Sequence, residues 1–100
     1  MHFIITAHDG ADVLEKRMRV RPRHLENMAK LSKTGRIICA GGILDGNGRP
    51  VGSALVVEFA SREQVDAYLA DEPYVIEKVW EDIRVETMNV VIENNEMVGK

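Results

Sequence analysis

Apolar residues recur along the chain sometimes at every second position and sometimes at every third or fourth, and each change of period marks the edge of an element. Phe3 to Ala7 is short, apolar and β-branched, which predicts a buried strand ending at His8, Asp9 and Gly10. Asp12 followed by Glu15 matches an N-cap with a glutamate three residues on, opening a short helix that stops or kinks at Arg21 and Pro22, where the proline ring clashes with the preceding turn. A second helical piece runs from Pro22 to about Thr34, with Leu25, Met28, Ala29 and Leu31 inward and Gly35 as its stop. Arg36 to Leu44 reads as a second strand, Asp45 to Pro50 as a turn, and Val51 to Phe59 as a third strand. So short a link makes that pair an antiparallel hairpin. Ser61 with Gln64 forms another capping box, Val65, Tyr68 and Leu69 give the next helix its apolar stripe, and Pro73 ends it. From Lys78 to Ile92 the pattern alternates again, with Ile83, Val85 and Thr87 on one face and Arg84, Glu86 and Met88 on the other. This is a fourth strand, extended or followed by a separate tail strand.

The order β-α-β-β-α-β is that of a ferredoxin-like α+β sandwich, in which both helices pack on one face of a four-stranded antiparallel sheet. A single domain over residues 1–100 is expected, with 84–100 as last strand and C-terminal tail. The first and third strands are apolar on both sides: Phe3, Ile5 and Ala7 alternate with Ile4 and Thr6, while Leu55, Val57 and Phe59 alternate with Ala54 and Val56. Strands of that kind are covered on both faces, and the helices cover only one. The second cover predicts a homodimer formed through the sheet face.

Charge and cysteine usage narrow the partners. A net charge of −3 and a pI near 5.6 argue against nucleic acid or an anionic membrane as the main partner, because phosphate binding needs a basic surplus on one surface. The central strands also lack the exposed aromatics that an RNA-recognition sheet stacks on bases. The single Cys39 forms no internal disulfide, no signal-like segment opens the chain, and no apolar run approaches membrane-spanning length, so a cytoplasmic protein is expected.

The candidate chemistry lies in the stretch holding Arg17, Arg19, Arg21, Arg23 and His24. Proline is favoured at the first position of a helix, which puts His24 in a first turn, with Met28 and Leu31 continuing its face into the core. A histidine at a core edge changes charge near neutral pH and suits general acid–base catalysis. Asp9, before Gly10 at the end of the first strand, serves equally well as a turn or helix-capping residue and as a carboxylate that could fix an imidazole tautomer. Arg17 and Arg21 can hold an anionic oxygen by charge-assisted hydrogen bonds. Gly41 lets a ligand approach the backbone or marks a bulge, Ser53 offers a hydroxyl, and Tyr74 offers a phenol at the pocket rim. His2, His8 and His24 lack ligand spacing and Cys39 has no partner cysteine, so neither a metal nor any other cofactor is expected.

Taken together, Leu14 to Arg17, Arg21-Pro22 with His24-Leu25, Gly35-Arg36 with Ala40-Gly41, and Glu72-Pro73-Tyr74-Val75 resemble the YciI-like (YCII) family of small bacterial proteins over residues 3 to 85. The resemblance implies a dimeric α+β barrel similar to that of muconolactone isomerase, with a histidine–aspartate pair in a pocket; one branch eliminates chloride from a chlorinated hydroxyhydroquinone. It carries the histidine to His24 and the aspartate to Asp9. Where the family has Asp-Pro-Tyr, this chain has Asp71-Glu72-Pro73-Tyr74, with glutamate before the proline.

The function expected from these residues is elimination or isomerisation of a small organic acid or phenol by general acid–base catalysis. The alternative is a non-catalytic small-molecule-binding or dimerisation module built on the same pocket, since the fold hosts many functions. If Asp9 does not face His24, Asp71 or Glu72, brought in by the Pro73 turn, is next in line.

Overall fold

A computed structural model covers residues 1–100. In chain order it contains strand β1 (His2–Asp9), helix α1 (Leu14–Lys33), strands β2 (Ile37–Leu44) and β3 (Pro50–Glu58), helix α2 (Arg62–Ala70), a one-turn helix α3 (Pro73–Ile76), strand β4 (Trp80–Met88), and a small hairpin of β5 (Ile92–Glu93) and β6 (Glu96–Met97). The four long strands form one sheet in the order β2-β3-β1-β4, with every pair antiparallel. This is the ferredoxin-like arrangement, with the last strand extended by a separate hairpin.

Alternation in the strands decides which side chains meet the helices. Phe3, Ile5 and Ala7 of β1 and Leu55 and Val57 of β3 are buried in one core with Val20 of α1, Val65 of α2 and Tyr74, Val79 and Trp80. Trp80 joins that side because β4 bulges beside the end of β1: His8 opposes Asp82, but Asp9 opposes Trp80, and the extra Glu81 flips the phase of the strand. On the other face Ile4, Ala54 and Val56 are half-buried and Cys39 is exposed. That face is apolar on three strands only, since β4 places Asp82, Arg84 and Glu86 there, opposite His8, Thr6 and Ile4.

Helix α1 departs from expectation in three ways. It is a single helix of 20 residues running through Pro22, because its inner face, with Arg17, Val20 and His24 buried, is held in place on both sides of the proline. Tertiary packing overrides the breaker. It also begins later than the Asp12–Glu15 box implies: Asp12 takes a left-handed backbone (φ 56°) and Val13 occupies the cap without a side-chain bond, since Val13 packs on the core. Finally, Leu25 and Ala29 are exposed rather than part of the core, and Val20, His24, Met28 and Leu31 make the inward stripe. The Ser61 box forms as expected, with Ser61 Oγ accepting from Gln64 N at 3.3 Å and Gln64 Oε1 accepting from Ala60 N at 3.1 Å.

Candidate active site

A cleft of about 660 Å³ opens between α1 and the β2–β3 hairpin. It is lined by Arg17, Arg21, His24, Gly41, Ser53 and Tyr74, so six of the seven residues singled out from the sequence converge there. Asp9 does not line it.

His24 is not in a first turn. It lies in the eleventh position of α1, with its side chain 10% exposed. Its Nδ1 lies 2.5 Å from Oε1 of Glu72, whose side chain is fully buried. Glu72 caps α3: its Oε1 also accepts the Tyr74 N–H at 3.1 Å, and its Oε2 accepts from Asn27 Nδ2 and from the Tyr68 hydroxyl, both at 3.0 Å. Burial pushes the Glu72 carboxyl up, but the His24 bond and charge, the Tyr74 N–H and Asn27 outweigh it and hold the group below the usual glutamate value. An ionised carboxylate only accepts, so the proton between the two belongs to Nδ1. In the neutral ring Nε2 then carries the lone pair; it bonds to no protein atom, is not sealed in the interior, and belongs to a ring that lines the cleft. Tyr68 keeps its proton, since burial and the Glu72 charge push its phenol far upward.

The expected His24–Asp9 pair is therefore corrected to His24–Glu72. Asp9 gives both oxygens to Nη1 of Arg17, at 2.8 and 2.9 Å. The reason is axial distance. Asp9 ends β1 beside the start of α1, where Arg17 is buried, and His24 is seven residues further on, roughly 10 Å along the helix. Glu72 reaches His24 because the turn after α2 brings α3 under the middle of α1.

The floor is a second polar network. Arg17 Nη2 donates to Gly52 O at 3.0 Å and to Ser53 Oγ at 2.9 Å, and Trp80 Nε1 donates to the same Ser53 oxygen at 3.2 Å. Tyr74 is a floor residue rather than a rim phenol: its hydroxyl turns inward to the Arg17 carbonyl at 3.4 Å, and its ring stacks on the His24 imidazole with centroids 4.0 Å apart and planes 13° from parallel. The Arg17 guanidinium also lies over that ring, 4.7 Å from its centroid. Gly41 adjoins the cleft, and a Cβ there would meet nothing within 4 Å. The β2 irregularities fall at Ile37/Cys39 and Ile43/Leu44 instead, so Gly41 marks no bulge. Asn27, Tyr68 and Trp80 complete the networks and were not singled out from the sequence. Their spacing, Asn27 three residues after His24 and Tyr68 four before Glu72, carries the signal.

A family model described as the YCII-related domain matches residues 1–89. Protein YciI of Escherichia coli O6:H1 is 37% identical over 97 residues, covering 91% of this chain and 99% of that protein. Aspercryptin biosynthesis cluster protein B of Emericella nidulans is 34% identical over 86 residues, which is 79% of this chain and 55% of that longer protein. Among solved structures, 5-chloro-2-hydroxyhydroquinone dehydrochlorinase from Burkholderia phenoliruptrix AC1100, in complex with 2,5-dihydroxybenzoquinone, superposes with a TM-score of 0.82 at 22% identity, over 88% of this chain and 93% of that one. An antibiotic biosynthesis monooxygenase shares the fold at a TM-score of 0.55 and 18% identity, over 91% of this chain and 98% of that one.

Proposed function

We propose that this chain, which belongs to the YCII-related domain family, is a small enzyme that eliminates or isomerises a compact organic acid or phenol, with His24 as general base and Glu72 as the carboxylate that orients it. The observation that carries this reading is the locked imidazole: Nδ1 is held by a buried carboxylate while Nε2 is left to the cleft. In that state the ring removes a proton from the substrate at Nε2, Glu72 stabilises the imidazolium, and the cationic side of the cleft stabilises the oxyanion that develops. The imidazolium then returns the proton to the rearranged substrate, or a leaving group departs with the electron pair. The 22%-identical neighbour that dehydrochlorinates a hydroxyhydroquinone supports a hydroxylated ring as one substrate class. We further propose that the enzyme is a homodimer, with the apolar part of the sheet face outside the helices as the interface.

The test is a panel of chlorinated hydroxyhydroquinones, phenols and lactones assayed with the parent protein and His24→Gln. Loss of at least about 100-fold in kcat is expected, as for a general base. Turnover that survives the substitution removes His24 from the chemistry.

A further inference from the structure

We propose that Arg21 is the specificity residue of the cleft, selecting substrates that already carry a full negative charge, and that Arg17, although it lines the same cleft, does not read the substrate's charge. The inference rests on the reading above for the place of the site, and it deepens that reading by naming the substrate class as small, apolar-bodied monoanions.

Arg17 is committed to the protein. Nη1 is spent on the two Asp9 oxygens and Nη2 on Gly52 O and Ser53 Oγ, so both terminal nitrogens of the guanidinium are engaged by the protein. A carboxylate 2.8 Å away balances its charge, and both side chains are almost fully buried. Such a group holds the floor in shape.

Arg21 lies one turn further along α1, on the same cleft, and it is exposed. The ion pairs of the chain engage Arg17, Arg23, Arg62 and Arg84, and none engages Arg21. No aspartate or glutamate lines the cleft. Its charge is thus uncompensated there, in a chain whose net charge is −3. The guanidinium also bears on the site floor: burial raises the Tyr74 phenol, against the opposing pull of Arg17 and Arg21. Arg21 and His24 are three residues apart on one helix, a spacing that puts Cβ atoms roughly 5–6 Å from each other. An anionic group held by Arg21 is thereby placed in the same cleft as the His24 ring. Met18, Leu25, Met28, Leu44 and Leu55 supply an apolar wall for the body of the molecule.

Benzoate and its neutral isostere benzamide serve as probes, and Trp80, the single tryptophan, reports binding because it packs edge-on against His24 and bonds Ser53. The parent protein is expected to bind benzoate about 10- to 100-fold more tightly than benzamide, the range of a hydrogen bond to a charged group. Arg21→Gln should abolish that preference by weakening benzoate far more than benzamide, and Arg21→Lys should restore part of it. His24→Gln should keep the preference. Equal binding of the two probes, no saturable benzoate binding, or a preference that persists in Arg21→Gln overturns the proposal. If the preference depends on Arg21 but no turnover depends on His24, the catalytic reading fails and this one stands.

Discussion

Glu72 is fully buried and yet ionised, and this combination makes its contribution to stability depend on pH. A carboxyl held below its unfolded value adds stability that is complete above the usual glutamate value of 4.5 and is lost as pH falls through the lower folded value. The melting temperature should therefore decline in acid below about pH 4.5, and the decline should be shallower in Glu72→Gln; parallel melting curves for the two proteins would remove Glu72 as its source. His24→Ala removes one partner of a buried pair and a ring stacked on Tyr74. Three other donors remain on Glu72, so a loss of about 3 kcal/mol is expected, at the low end for such a change. In a domain of this size that is on the order of 12–24 °C in melting temperature. His24 was legible in the sequence from its place between Pro22 and an inward stripe, but its partner was not. Asp9 and Glu72 each precede a turn residue, and only the fold shows that one lies at the Arg17 end of α1 and the other beneath its middle.

At the scale of the element, α1 carries the site on its core side, with Arg17 and His24 filling positions that aliphatic residues usually occupy. Pro22 sits between them. It has no N–H for the Met18 carbonyl and its ring crowds that turn, an interior cost of up to about 3 kcal/mol relative to alanine. Pro22→Ala should therefore raise stability by about 1–3 kcal/mol, offset in part by greater freedom of the unfolded chain. Benzoate binding and turnover should weaken as Arg21 and His24 shift relative to each other. A lower melting temperature would mean that the proline itself is required by packing. Local signals identified α2 well, because the Ser61–Gln64 box has no competitor. At Asp12 the same kind of box lost to the burial of Val13, an interaction with residues distant in sequence.

The whole molecule presents one sheet face to the helices and leaves the other with Ile4, Ala54 and Val56 beside the charged outer positions of β4. The apolar runs in β1 and β3 made the uncovered face visible in the sequence. The charged edge was visible too, in the Arg84–Glu86 alternation, and it confines the proposed interface to the β2, β3 and β1 side. Sedimentation should give twice the 11.2 kDa chain mass. Val56→Lys should yield a folded monomer, because an ammonium at the centre of such an interface is buried without a partner. A parent protein that sediments as a monomer at micromolar concentration contradicts the dimer.

The pairing of His24 with Glu72 is the centre of the account, and the tautomer of the imidazole tests it most directly. Long-range ¹H–¹⁵N correlation of the neutral ring should show the proton on Nδ1 and the lone pair on Nε2 in the parent protein and in Asp9→Asn, with the proton redistributed toward Nε2 in Glu72→Gln. A proton on Nε2 in the parent protein, or a tautomer that responds to Asp9 and not to Glu72, would contradict it.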